Sequence, residues 1–220
     1  MAIETTATKA QDSKRARRER RREELLDVAD LVIQRRGVAV SMGEIASEAG
    51  ITKPVLYRHF GDKDGLYQAL TERYVDQLKT ALKPATEASE PRDRLAAAID
   101  AYLAYVEREP ERYRFLLHAS EQPRTAAIVA DFRRRHIAEC AFTAEDNLRR
   151  AGIDPGFTEP WAECVSGMIR AAGTSWLETR SLPRARLVDY LTTILWDGFS
   201  SLRRATAPTH NRQTKRGYPA

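Results

Sequence analysis

Ten prolines divide the chain, at positions 54, 84, 91, 110, 123, 155, 160, 183, 208 and 219. Proline has no amide hydrogen, and its ring collides with the preceding helical turn. It is accepted in a helix's first turn or between helices, but not in an interior. The stretches between the prolines carry apolar residues at steps of three and four, and none sustains an alternation of period two. The chain is therefore expected to be all-α. No run reaches the roughly 18 apolar residues that a membrane span requires. The most apolar stretch, 187–202, is interrupted by Asp189 and Asp197.

The first expected helix starts in a basic run and ends near Arg36, with Gly37 as its stop. Leu25, Val28, Ala29, Val32 and Ile33 form its apolar stripe. Ser41 to Glu44 reads as a capping box: serine caps the helix and glutamate reaches back. A short helix follows and ends at Gly50. Thr52 is expected to cap a third helix, with Pro54 in its first turn, and this helix stops before Gly61. Asp62 is expected to cap a fourth helix, from Lys63 towards Leu82. Beyond Pro84 longer helices are expected over 91–108, 110–120, 123–150, 159–180 and 183–204, with a turn at 152–156. The last two are apolar on more than one face, with Val188 and Trp196 widening the final stripe. One face can enter the chain's own core. The other calls for a partner, and a symmetric homodimer is the common solution.

Charge is unevenly distributed. Residues 1–22 hold eight Lys and Arg (Lys9, Lys14, Arg15, Arg17, Arg18, Arg20, Arg21, Arg22) against Glu4, Asp12 and Glu19, and 206–220 hold Arg212, Lys215 and Arg216 with no acid. The total is +5, so the body between the tails is mildly acidic. A basic arm on such a body suits a polyanion reached by the arm; a solubilising tail is the alternative. The expected organisation is a disordered arm over 1–16, a DNA-binding unit over 17–64, a larger helical unit over 65–205 and a disordered tail over 206–220. The basic run is not followed by an apolar core, so no secretory signal is expected. Two cysteines, Cys140 and Cys164, make no disulfide framework, so the expected setting is a reduced cytoplasm.

Residues 41–60 read SMGEIASEAGITKPVLYRHF. Ile45 and Ala49 pack a short helix, Gly50 ends it, Ile51 plugs the turn and Leu56 faces inward. The second helix is about two turns long, a size that fits a major groove. This is the pattern of a helix-turn-helix. Lys53, Pro54, Val55, Tyr57, Arg58 and His59 are left facing outward. The alternative is a structural αα-hairpin in a helical interaction protein or an enzyme. The chain has no GxSxG, GxGxxG, P-loop, HExxH or CxxC.

The run from Glu44-Ile45-Ala46 through Ala49-Gly50 to Leu56-Tyr57, His59-Phe60, Lys63 and Leu66 resembles the DNA-binding region of the TetR family, closely over residues 22 to about 74. The resemblance implies a three-helix reading head joined to a helical-bundle domain that dimerises and binds a small molecule. It also implies a regulator that usually represses, is released from a palindromic operator by its effector, and is not an enzyme. Carried over to this chain, it brings Ser41, Met42 and Lys63 to phosphates. Lys53, Pro54, Tyr57 and His59 face the major groove, with Arg58 and Val55 as further base contacts. Gly43 stands where some relatives carry a contacting side chain. Around this motif Lys53, Arg58 and Lys63 are matched by Glu44, Glu48, Asp62 and Asp64. Much of the phosphate attraction is therefore expected from the arm, including Arg17 and Arg18, entering a minor groove.

Tyr102, Tyr105, Phe115, Phe132, Cys140, Trp161, Met168 and Trp176 are expected core residues of the second unit. The resemblance adds that such units enclose a pocket, here one suited to an apolar or amphipathic effector. Arg170 is placed to meet an acidic head group or to pair across a dimer. The stretches SWLETR (175–180) and WDGFSSL (196–202) resemble those of actinobacterial regulators of fatty-acid metabolism, which implies a fatty acid or acyl thioester. A drug-like or steroid effector stays open. Cys140 and Cys164 are expected as buried small hydrophobes, and Arg133 to Arg135 as a solvated face. No cofactor or metal is expected, since His59, His118, His136 and His210 lack ligand spacing.

Overall fold

A computed structural model of the chain describes residues 2–83, 90–150, 155, 156 and 158–205. Among the described residues there are nine helices and no strand. They are α1 (Ala2–Arg36), α2 (Met42–Glu48), α3 (Lys53–Phe60), α4 (Lys63–Leu82), α5 (Pro91–Arg108), α6 (Pro110–Ala119), α7 (Ala126–Arg150), α8 (Thr158–Thr179) and α9 (Arg184–Ala205). The expected turn at 152–156 and the tail from 206 lie largely or wholly outside the described residues.

The first sixteen residues were expected as a disordered arm. From Ala2 onward they continue α1 as helix. Ala, Arg, Glu, Lys and Gln dominate this stretch, and all lose little side-chain freedom in a helix. Arg15 adds an ion pair to Glu19, one turn on, at 3.1 Å. Gly37 closes α1 as expected, adopting φ +79° while its amide donates to Ile33 at 2.7 Å. The expected capping box at α2 is present. The Ser41 amide donates to Glu44 at 2.8 Å and the Glu44 amide to the Ser41 hydroxyl at 3.3 Å. Asp62 caps α4 by accepting from the Gly65 amide at 2.7 Å. Thr52 occupies the cap position of α3, but its hydroxyl makes no capping bond. Proline in the first turn removes one amide donor, and the Val55 and Leu56 amides turn to the Thr52 carbonyl instead.

Two apolar cores result. The first joins Leu25 and Ile33 of α1, Ile45 of α2, Leu56 of α3 and Leu66, Leu70 and Tyr74 of α4 to Tyr105 of α5 and Phe115 of α6. The second joins Ile99 and Leu103 of α5 to Trp176 of α8 and Val188, Leu191 and Leu195 of α9. The boundary expected after residue 64 therefore crosses continuous packing: α4 serves both the reading head and the body. Phe142, Met168, Tyr190 and Ile194 remain exposed on α7, α8 and α9. No helix of the described residues is long and apolar enough to cross a membrane.

Candidate DNA interface

Helix α3 buries Leu56 fully and Phe60 nearly so, which fixes its orientation on the head. Leu56 packs with Ile45 of α2 and Leu66 of α4 in one core. The opposite side then carries Lys53, Pro54, Tyr57 and Arg58, all exposed, with Val55 and His59 half-buried at its edges. At the junction with α4, the Phe60 carbonyl occupies the space a Cβ on Gly65 would need, 2.0 Å from it. Only glycine at 65 lets α4 leave α3 so abruptly, a constraint that the outward-facing pattern of the motif did not signal.

Helix α2 is held to α1 by two ion pairs, Arg36 to Glu44 at 2.9 Å and Arg35 to Glu48 at 3.1 Å. The Glu44 carboxylate is thereby engaged by Arg36 and Ser41. Ser41 is exposed, but Met42 is buried in the core, so its side chain is not available to DNA and only its backbone remains there. The apolar thioether belongs with Val40 and Ile45, which outweighs the position's nearness to the helix start. Lys53 folds back over Gly43: a Cβ at 43 would stand 2.6 Å from its Cε and 3.1 Å from its Nζ. Lys63, exposed at the start of α4, lies over the Tyr67 ring at 5.0 Å.

The arginines of α1 reach the far end of α3. Arg18 donates to the Arg58 carbonyl at 3.5 Å, and the Arg22 guanidinium lies 5.0 Å from the Phe60 ring centroid. His59 sits among them. Burial, and then the positive field of Arg18, Arg58, Arg21 and Arg22, hold its imidazole below the usual histidine range. Its Nδ1 is buried without a hydrogen-bond partner. The arginines of α1 thus adjoin the exposed side of α3 at Arg58 and Phe60. Arg17, Arg18 and Arg20 are exposed and have no carboxylate partner among the described residues.

The comparisons with known proteins fit this geometry. Residues 25–70 match the model for bacterial regulatory proteins of the tetR family, and residues 77–210 match that for the tetracyclin repressor-like C-terminal domain. An HTH-type transcriptional regulator of Mycobacterium tuberculosis is 33% identical over 187 residues, spanning 83% of this chain and 78% of that protein. The chain belongs to the TetR family. It is a DNA-binding transcription regulator with the family's helical fold. A TetR-like regulator from Rhodococcus sp. RHA1 is 27% identical with a TM-score of 0.65, covering 81% of this chain and 96% of that one. The HTH-type transcriptional activator FasR of Mycolicibacterium smegmatis is 39% identical over 116 residues, about half of each chain (51% and 53%). FadR of Bacillus subtilis, solved with stearoyl-CoA, shares the fold at a TM-score of 0.67 and 15% identity, covering 80% of this chain and 98% of that one.

In this TetR-family body the expected pocket residues are divided between the two cores and the surface. Tyr105 and Phe115 are buried in the first core with Phe132 packed against it, Trp176 lies in the second, and Tyr102 alone of these packs against both. Trp161 is half-buried, and Met168 and Cys140 are exposed. Cys164 is exposed as well, which corrects the reading of both thiols as buried. On α7 it is Ile137 that packs inward, and on α8 Ala162 and Trp176. Cys140 Sγ stands 3.8 Å from His136 Nε2. No group of three metal-ligating side chains occurs among the described residues. Arg170 borders a shallow groove between α6 and α8, beside Glu121, Thr174 and Glu178. Arg133, Arg134 and Arg135 are exposed as expected, the last two paired with Asp131.

Proposed function

We propose that this regulator is a homodimeric repressor that holds a palindromic operator and lets go when a small apolar or amphipathic effector enters its body. The observation that carries the reading is the exposed side of α3, set by a buried Leu56 and Phe60 and met at its end by Arg18 of α1. Lys53, Tyr57 and Arg58 read base edges in the major groove, with Pro54, Val55 and His59 at its margins. Ser41, Lys63 and the Met42 amide meet phosphates. A helix with side chains is about 10–12 Å across and the minor groove about 6 Å wide, so helical Arg17 and Arg18 lie along phosphates rather than thread that groove. Such work is done in the cytoplasm, by binding and without a cofactor. The exposed Met168, Tyr190 and Ile194 supply the dimer face. An acyl chain is the favoured effector class, supported by the stearoyl-CoA bound to FadR. Aromatic side chains from the two cores, Tyr102, Phe115, Phe132 and Trp176 among them, would then part to line the site, with Tyr105, Cys140, Trp161 and Met168 at its edges.

The test is selection of bound DNA from a random pool, followed by transcription from the selected sequence with and without acyl-CoA. An enriched palindrome is expected, with binding abolished by Tyr57→Ala and Lys53→Ala in a dimer that stays folded. No enrichment by folded dimer, even after refolding to strip ligand, refutes the reading. Transcription is expected to rise when acyl-CoA is added; a fall on its addition would make the protein an activator.

A further inference from the structure

Asp30 of α1 lies where three helices meet, and all of them grip it. Arg112 of α6 donates from Nε to Oδ1 at 3.0 Å and from its terminal nitrogen to Oδ2 at 2.6 Å. The Tyr74 hydroxyl of α4 donates to Oδ1 at 2.7 Å, and Gln34, one turn along α1, donates to Oδ2 at 2.9 Å. The other terminal nitrogen of Arg112 is held by Glu109 at 2.7 Å. Asp30 and Arg112 keep only 12% and 18% of their side-chain surface exposed. A two-point guanidinium fork of this kind fixes direction as well as distance.

The next residue of α6 faces elsewhere, as neighbours on a helix must. Tyr113 is buried, and its hydroxyl lies 2.8 Å from the Tyr102 hydroxyl of α5 and 2.9 Å from the Thr174 hydroxyl of α8. Thr174 donates onward to the Arg170 carbonyl at 2.9 Å. Each hydroxyl has one proton, so the chain runs in one direction, from Tyr102 through Tyr113 to Thr174. Two consecutive residues of a ten-residue helix thus hold opposite parts of the molecule. Arg112 holds the reading head by α1, and Tyr113 holds the body by α5 and α8.

We propose that Arg112 and Tyr113 are positioning residues that set the angle between reading head and body, and so the half-site spacing the dimer accepts. A half-site is bound by one reading head and does not depend on this angle. Two half-sites at a fixed spacing do depend on it, because both heads must present α3 at the right separation. Loosening the Asp30 clasp lets each head swing, which broadens the spacing tolerance and leaves half-site recognition intact. The proposal rests on the operator-binding reading above.

The test compares a single half-site duplex with palindromes whose centre is lengthened or shortened by one and two base pairs. Wild type should bind one spacing best. Arg112→Met and Asp30→Asn should lose about tenfold on that spacing and bind its neighbours nearly as well, with half-site affinity unchanged. Tyr113→Phe, which keeps the ring and removes only the hydroxyl, should shift the profile in the same direction by less. A spacing profile as sharp as wild type in the folded Asp30→Asn and Tyr113→Phe variants overturns the proposal. So does a parallel fall in half-site and operator affinity, which would make the clasp a mere fold support. If wild type binds no palindrome at any spacing, the operator reading itself fails.

Discussion

Replacing Arg17, Arg18 and Arg20 together by alanine should flatten the salt dependence of operator binding. Several arginines on α1 are already matched by acids: Arg15 by Glu19, Arg21 by Glu24, and Arg22 by Glu23 at 4.0 Å. Arg17, Arg18 and Arg20 are exposed without a carboxylate partner among the described residues, and Arg18 is laid against the end of α3. Each phosphate that a cation neutralises adds about 0.9 to the slope of log affinity against log salt. Six guanidiniums in a dimer that all meet phosphates would therefore contribute roughly 5 to the slope, or about three decades of affinity between roughly 50 and 200 mM salt. Fluorescence anisotropy with a labelled operator across that range measures it. The substitutions are on solvated helix surface and alanine is a good helix former, so the fold should not suffer. Arg15→Ala with Arg21→Ala should change the slope less, because those charges are partly neutralised before DNA arrives. Equal slopes for wild type and the triple variant would refute the view that α1 extends the DNA surface.

Ser41→Ala removes the cap of α2 and should cost about 1 kcal/mol, lowering Tm by roughly 2–4 °C in a thermal melt. Gly43→Ala forces Lys53 off its position over α2, so selection from a DNA pool should return a changed base preference at one position of each half-site; an identical motif would count against Lys53 as a base reader. Tyr105→Phe should leave stability unchanged or raise it, because its buried hydroxyl has no partner, whereas Tyr74→Phe should cost about 1.5–3 kcal/mol by taking a bond from the Asp30 carboxylate. Burial pushes the Asp30 carboxyl up, but the bonds from Arg112, Tyr74 and Gln34 outweigh it and hold the group below its usual range. Its stabilisation is therefore present above the ordinary carboxylate pKa and is lost as pH falls through the lower folded value. Asp30→Asn should flatten that acid limb in denaturant melts.

The reading head was legible because its constraints are local. A capping box, a helix-ending glycine and a proline in a first turn each act within four residues, and Ser41, Gly37 and Pro54 all do what their types dictate. The arm was misread because its charge suggested disorder, while the helix preference of the same residues favours continuing α1. In the body the sequence marked which residues are apolar, but not which core receives each one. Tyr113 meets Tyr102 and Thr174 at 11 and 61 residues' separation, and Asp30 meets Arg112 at 82. No periodicity carries such pairings. Phe115 and Trp176, both on apolar stripes, enter different cores, and only the packing of α5 between α4 and α9 decides which.

That division bears on how a ligand could move the head. A hinge needs a place where few contacts cross. Here Tyr74 of α4 and Phe115 of α6 meet edge to face, with ring centroids 5.2 Å apart, and both belong to the core that also holds Leu25 and Ile33 of α1. Close-packed interiors transmit displacement rather than absorb it. A molecule that parts the aromatic residues of the body must therefore either break this shared core, at a cost comparable to the stability of the domain, or carry the head with it as a rigid unit. The second is less costly: the Arg112 fork keeps α6 with the head, and the Tyr113 bond to Thr174 of α8 and the exposed pairs of Arg124 with Asp62 and Asp64 are what must be rearranged. Exposed pairs of that kind hold little energy. Helix α6, tied to the head by Arg112 and to the body by Tyr113, is therefore the contact where the regulator's response to a ligand would be set.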